Sequence, residues 1–285
     1  MKRALVVLAA LALSLVTSVP ALAAEDESSH DYLALGDSVA FGYTPPQVTP
    51  PANYLNAANF VGYPEMVARA VGFKDTNASC PGEATGGFIS LTSTNDNGCL
   101  TSYRKNFPLH VAYTTSQLDF AVAFLNAHRN STKLVSINLG ANDLFRLQRL
   151  CSTNANPAMC FGNGLPAVLA TMQANLGHIF AALRATGYHN KIVALTYYAL
   201  VYDTAGVQGA ALLNQPMINA AQPFHVRIAS GFDAFQPLAL LHGGSSCAAG
   251  LIIALPAGGC DVHPTQLGHA LLAAAIVQAA FGEED

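Results

Sequence analysis

Three short runs in this chain carry side chains that could act together on an acyl carbon. Gly36-Asp37-Ser38 follows the apolar run Asp31–Leu35 (DYLAL), so a serine hydroxyl stands in a tight turn at the end of an expected strand. If that serine opens a helix, its own backbone N–H can face a developing oxyanion. Gly140-Ala141-Asn142-Asp143 follows Lys133–Leu139 (KLVSINL) in the same way, and the Asn142 amide offers an N–H donor there. Asp261-Val262-His263-Pro264 sets a carboxylate two residues before an imidazole. That spacing lets the acid hold Nδ1–H and leaves Nε2 free to face a serine. Each run alone has an ordinary explanation: Gly-Asp-Ser makes turns, Asn and Asp cap helices, and Pro264 suits a helix's first turn. Together they spell nucleophilic acyl transfer, with Ser38 attacking, His263 moving the proton, Asp261 orienting the ring and Asn142 donating to the oxyanion.

Rival chemistries find less support. No Gly-x-Ser-x-Gly occurs, which removes the nucleophile elbow of α/β-hydrolases. His30, His110, His128, His178, His189, His225 and His242 have no acid at suggestive spacing. His269 falls six residues past His263, off its helical face, and reads as structural, while Asp37 and Asp143 read as braces for their turns. A metal site would need Cys-x-x-Cys or His-Glu-x-x-His spacing, and neither is present, so no metal or cofactor is expected.

Elements must bring these runs together. Strands are expected at Asp31–Leu35, Phe73–Asn77, Lys133–Leu139 and Lys191–Thr196. Helices are expected over Tyr63–Val71, Gln117–His128, Leu165–Thr186 and Pro264–Phe281. Leu212–Ala229 reads as a helix broken by Pro216 and Pro223, and Phe232–Leu240 as a short strand and a loop. Strands alternating with helices imply a parallel sheet covered on both faces, whose ligands bind beyond the strands' carboxyl ends. Tyr43–Asn59, with four prolines, is a loop: either a wall of the site or a connector.

The N-terminus is basic at Lys2 and Arg3, apolar from Ala4 to Val19, and small at Ala21-Leu22-Ala23. Residues 1–24 therefore read as a signal peptide and 25–285 as one domain, exported and left without a membrane anchor. The alternative is an uncleaved anchor. With 13 basic against 17 acidic residues the chain lacks the cationic surface that nucleic acid demands. Six cysteines in an exported chain read as three disulfides with 15 conceivable connectivities. Their local pairing along the chain favours Cys80–Cys99, Cys151–Cys160 and Cys247–Cys260.

The arrangement resembles the SGNH (GDSL) hydrolase family over essentially all of residues 25–285. Gly36-Asp37-Ser38 matches its nucleophile block, with Val39 where the name has Leu. Gly140 to Asp143 matches its Gly-x-Asn-Asp block, and Asp261 with His263 its last block. Asn77-Ala78-Ser79-Cys80-Pro81-Gly82-Glu83 is similar to the second block of secreted bacterial lipases, which implies an oxyanion role for Gly82 beside Ser38 and Asn142. A Cys-Pro-Gly turn would need glycine anyway. The resemblance implies a three-layer α/β/α sandwich on a mostly parallel, flavodoxin-like sheet. It also implies a secreted, monomeric esterase or lipase acting on acyl-glycerol or other fatty esters. Val39, Phe41, Tyr43 and Tyr54 would suit an acyl chain or the core. The alternatives are a carbohydrate O-deacetylase and, more remotely, a non-catalytic binding protein.

Overall fold

A computed structural model describes residues 30–282, so the expected signal peptide lies outside the described residues. In chain order the first half runs β1 (Asp31–Gly36), α1 (Ser38–Phe41), α2 (Tyr63–Val71), β2 (Lys74–Asn77), α3 (Thr85–Ile89), α4 (Arg104–Asn106), α5 (Gln117–His128) and β3 (Thr132–Asn138). The second half runs α6 (Ala141–Cys151), α7 (Pro157–Ala185), β4 (Lys191–Leu195), α8 (Thr204–Ala221), β5 (Arg227–Ala229), α9 (Gly231–Leu241), β6 (Ile252–Ala254), β7 (Cys260–Pro264) and α10 (Gln266–Phe281). The main sheet is five parallel strands in the order β2-β1-β3-β4-β5, the doubly wound order of flavodoxin.

Alternate residues of the central strands feed two cores. Tyr32, Ala34, Leu134, Val193 and Leu195 pack against α2, α9 and α10. Leu33, Leu35, Val135, Ile137, Ile192 and Ala194 pack against α5 and α7, with the end of α8. Because both faces are buried, β1, β3 and β4 read as nearly continuous apolar runs. A third cluster lies above the sheet, where Phe41, Phe60 and Tyr103 pack with Tyr43, Tyr54 and Phe107.

Four expectations need correction. α7 starts at Pro157, eight residues before the expected Leu165, because Asn156 caps it by accepting from the Met159 N–H at 3.0 Å. Pro166 therefore sits inside the helix, where its missing N–H is tolerated. Leu212–Ala229 is not one broken helix: α8 begins at Thr204, capped by Asp203, and the stretch ends in the three-residue strand β5 beside β4. Phe232–Leu240 lies within α9, capped by Ser230. Asp261-Val262-His263-Pro264 does not open the last helix. It forms β7, antiparallel to β6, and Thr265 caps α10 instead.

Candidate active site

The site gathers beyond the carboxyl ends of β1 and β3, beneath the β6–β7 ribbon. At Gly36 the chain turns with φ +137°, and a Cβ there would meet the Asn138 carbonyl oxygen at 2.2 Å, so the position is closed to other residues. Gln117 clamps the same glycine from α5, accepting from its N–H at 2.6 Å and donating to its carbonyl at 3.0 Å. Asp37 then caps α1 by accepting from the Val39 N–H at 2.9 Å, which presents Ser38 as the helix's first residue. Asn77 secures α1 from below, donating to the Ala40 carbonyl at 3.0 Å and to Glu65 at 2.8 Å. It is buried, which closes its Asn-Ala-Ser run to glycosylation.

His263 Nε2 lies 2.8 Å from Ser38 Oγ, and its Nδ1 meets Asp261 Oδ1 in a short hydrogen bond. The same carboxylate oxygen accepts from the His263 backbone N–H at 3.0 Å, so one acid fixes both ring and main chain. Partial burial pulls the Asp261 pKa up, but the hydrogen bond and charge of His263 outweigh it and hold the group below the ordinary carboxylate value. Two further contacts steady the ribbon. Tyr198 donates to the Val262 carbonyl at 2.6 Å, and the Cys247–Cys260 disulfide ties the start of β7 to the preceding loop. Tyr43 packs its ring 4.9 Å from the His263 ring, which makes the proline-rich loop a wall of the site.

Among the described residues neither the Ser38 N–H nor the Gly82 N–H donates to another protein group, and both residues line the cleft with Asn142 and His263. Gly82 holds φ +82°, and a Cβ there would meet the Asn97 carbonyl oxygen at 2.8 Å. Asn97 Nδ2 donates to Asn142 Oδ1 at 2.9 Å, and Asn142 Nδ2 reaches Asp37 Oδ2 at 3.4 Å, so the amide's N–H face turns toward the Ser38 turn. Asp37 Oδ2 also accepts from the Tyr197 hydroxyl at 2.5 Å, and that hydroxyl accepts from the Ala141 N–H at 3.2 Å. Burial pushes the Asp37 pKa up to about 6 despite these donors. Asp143 accepts from Thr85 N–H at 2.9 Å, Thr85 Oγ1 at 2.6 Å and Asn95 at 2.6 Å, which fastens the 80–99 insertion to α6. Both aspartates brace their turns, as expected.

All three disulfides join the cysteines nearest along the chain, with Cα–Cα separations of 5.7, 5.6 and 5.9 Å. Glu83 lies against the Cys80 and Cys99 sulfurs, but these are bonded to each other and present no thiolate to a metal. His269 is buried, and burial lowers its pKa to about 3, in keeping with a structural role.

Two clefts meet at Ser38 and His263. One, about 470 Å³, is walled by Phe145, Tyr197, Tyr198, Leu200, Val201 and Leu213. The other, about 540 Å³, is lined by Asn97, Thr101, Ser102, Tyr103 and Arg149. Of the apolar residues expected around Ser38, Val39 lines the first cleft and Tyr43 the second, whereas Phe41 is core and Tyr54 packs in the aromatic cluster. Gln117, Asn97, Tyr197 and the groove walls were not singled out from sequence. Only Tyr197 carried a signal, its place just past the carboxyl end of a strand.

Comparison with known proteins bears on the fold and the family. No curated protein sequence matches the chain. An extracellular lipase from Streptomyces rimosus superposes with a TM-score of 0.58 at 18% identity, covering 88% of this chain and 100% of that one. A catalytic mutant of an acetylxylan esterase from Geobacillus stearothermophilus superposes with a TM-score of 0.51 at 16% identity, covering 89% and 95%. Such low identities speak to the fold. The profile of the GDSL-like lipase/acylhydrolase family matches residues 34–271. The chain belongs to that family and is a carboxylic ester hydrolase.

Proposed function

We propose that this is an exported serine esterase or lipase that cleaves fatty esters through an acyl-enzyme, with Ser38, His263 and Asp261 as its triad. The observation that carries the reading is the contact of His263 Nε2 with Ser38 Oγ at 2.8 Å, with Asp261 holding the opposite ring nitrogen. His263 takes the hydroxyl proton as Ser38 Oγ attacks the ester carbonyl carbon. The Ser38 and Gly82 N–H groups and the Asn142 amide hold the resulting oxyanion. His263 then gives the proton to the departing alcohol, and water, activated by the same ring, releases the acid. The apolar groove supports a chain of several carbons as the acyl portion, and the polar cleft supports the alcohol. Three disulfides support export, and no helix among the described residues is long and apolar enough to cross a membrane.

The polar cleft also suits a second reading, removal of acetyl groups from a carbohydrate, which would leave the apolar groove empty. Rates on p-nitrophenyl esters from acetate to palmitate separate the two. A maximum at a medium or long chain supports the fatty-ester reading, and a maximum at acetate supports the deacetylase. Ser38→Ala should abolish both turnover and labelling by a fluorophosphonate probe, and retained labelling would remove Ser38 as the nucleophile.

A further inference from the structure

Glu83 directly follows Gly82 and is fully buried behind the cleft, out of reach of any substrate. Its backbone N–H donates to the Cys80 carbonyl at 3.1 Å, which closes the turn that presents Gly82. The Cys80 N–H in turn donates to the Gly36 carbonyl at 3.0 Å. That carbonyl takes a second donor at 3.0 Å, Gln117 Nε2, which also donates to Glu83 Oε2 at 3.2 Å. The loop that carries Gly82 and the turn that carries Ser38 are thus joined through one buried carboxyl and one buried amide. Glu83 Oε1 lies against Gly87, where a Cβ would meet it at 2.7 Å. Among the described residues it is the one carboxyl oxygen that is buried without a hydrogen-bond partner. An anion there would lack half of its solvation. The charges facing it do not make this good. Asp96 in the insertion and Asp37 at the nucleophile turn oppose ionisation. Arg104 at the start of α4 favours it, but the guanidinium donates to the Tyr113 and Thr115 carbonyls. Tyr113, ahead of α5, has its hydroxyl pushed up by burial and by Glu83 itself. Helix α3, which begins two residues on, carries no charged side chain, and α5 supplies the neutral Gln117. Burial above all, with Asp96, keeps Glu83 neutral up to about pH 8.

We propose that Glu83 is a positioning residue that works only in its neutral form, tying the Gly82 N–H to the Ser38 turn through Gln117, and that its ionisation sets an alkaline limit on turnover. The proposal rests on the assignment of the Ser38 and Gly82 N–H groups and the Asn142 amide to the oxyanion. A neutral carboxyl accepts from Gln117 and leaves those donors in uncharged surroundings. An ionised one fixes a negative charge one residue from the Gly82 N–H, where it opposes the developing oxyanion across a path that water does not screen. The loss falls on the transition state, which carries the charge, and not on the uncharged bound ester. kcat therefore drops while KM holds. His263 adds no alkaline limb of its own, because a neutral imidazole is the working form of a general base.

The test follows kcat and KM of the full chain on p-nitrophenyl butyrate from pH 6.5 to 9.5, with circular dichroism at each pH to show that the chain stays folded. Wild-type kcat should fall about fivefold between pH 7 and pH 9 with KM nearly constant, the size expected when a buried charge appears near an oxyanion. Glu83→Gln, a neutral group of the same shape, should lose this limb and hold the ratio of kcat at pH 9 to kcat at pH 7 near one. Gln117→Leu removes the amide that favours the charged form and should move the limb to higher pH. Reading a ratio within each variant guards against one that merely folds less well. A folded wild type without an alkaline limb, or a limb that survives in Glu83→Gln, overturns the role of Glu83 and leaves the ester-hydrolase reading intact. Turnover that persists in Ser38→Ala overturns the triad reading and this proposal with it.

Discussion

Asn142 has two ways to orient its amide, and two neighbours choose between them. Asn97 gives a proton to its oxygen at 2.9 Å, and Asp37 stands 3.4 Å from its nitrogen, so a flip would set donor against donor and acceptor against acceptor. Asn142→Ala should fold normally and lose about 10²- to 10³-fold in kcat, as expected when an oxyanion donor is removed. Asn97→Ala should lose about three- to tenfold in kcat with little change in KM, because the amide is then free to turn. Kinetics of the double variant decide whether Asn97 acts through Asn142: it should be no slower than Asn142→Ala alone, whereas additive losses would give Asn97 an independent role. Neither Asn97 nor Tyr197 stood out in the sequence, since a positioning residue needs only one polar group at the right place and any loop can supply it.

At the scale of elements, the 80–99 insertion carries both Gly82 and Asn97 and is held by the Cys80–Cys99 disulfide. Replacing both cysteines by alanine should lower stability by about 2–4 kcal/mol. It should also reduce kcat at temperatures where circular dichroism still reports a folded chain, and unchanged kcat there would show that the insertion holds its shape unaided. On the opposite side, α8 presents Gly209 to the apolar groove, and a Cβ added there meets nothing within 4 Å. Gly209→Leu should fill the groove and shift the preferred acyl chain toward acetate and butyrate, while leucine's better helix propensity offsets any loss of stability by about 1 kcal/mol. An unshifted profile over the p-nitrophenyl series would place the acyl chain elsewhere. Helix starts were less legible than helices. The Asn156-Pro157 signal that opens α7 was present in the sequence, but Pro166 is an equally good opening; in the fold the Asn156 cap and the Cys151–Cys160 disulfide to α6 go with the earlier one.

For the whole molecule, the clearest consequence of folding falls on Glu83. It is fully buried beside the disulfide, with Gln117 donating to Oε2 at 3.2 Å and Oε1 without a hydrogen-bond partner among the described residues. Burial, aided by the charge of Asp96, raises its pKa from 4.5 to about 8. Across that window the folded chain keeps a proton that the unfolded chain has released, so stability is full below about pH 4.5 and falls as pH rises to 8. Urea midpoints at pH 5 and pH 8.5 should therefore differ more in the wild type than in Glu83→Gln, and equal differences would contradict a buried, neutral carboxyl. What the sequence by itself determined was local: the strand ends, the Ser, Asn and Asp-x-His runs behind them, the sheet order implied by family resemblance, and the pairing of cysteines close along the chain. Those features depend on a few neighbouring residues and on the period of apolar side chains. Only the tertiary structure decided that Asp261 and His263 ride on a β-ribbon, that β5 completes the sheet, and that an apolar and a polar cleft part at Ser38. Those depend on contacts between segments up to 225 residues apart, as between Ser38 and His263, which no local pattern encodes.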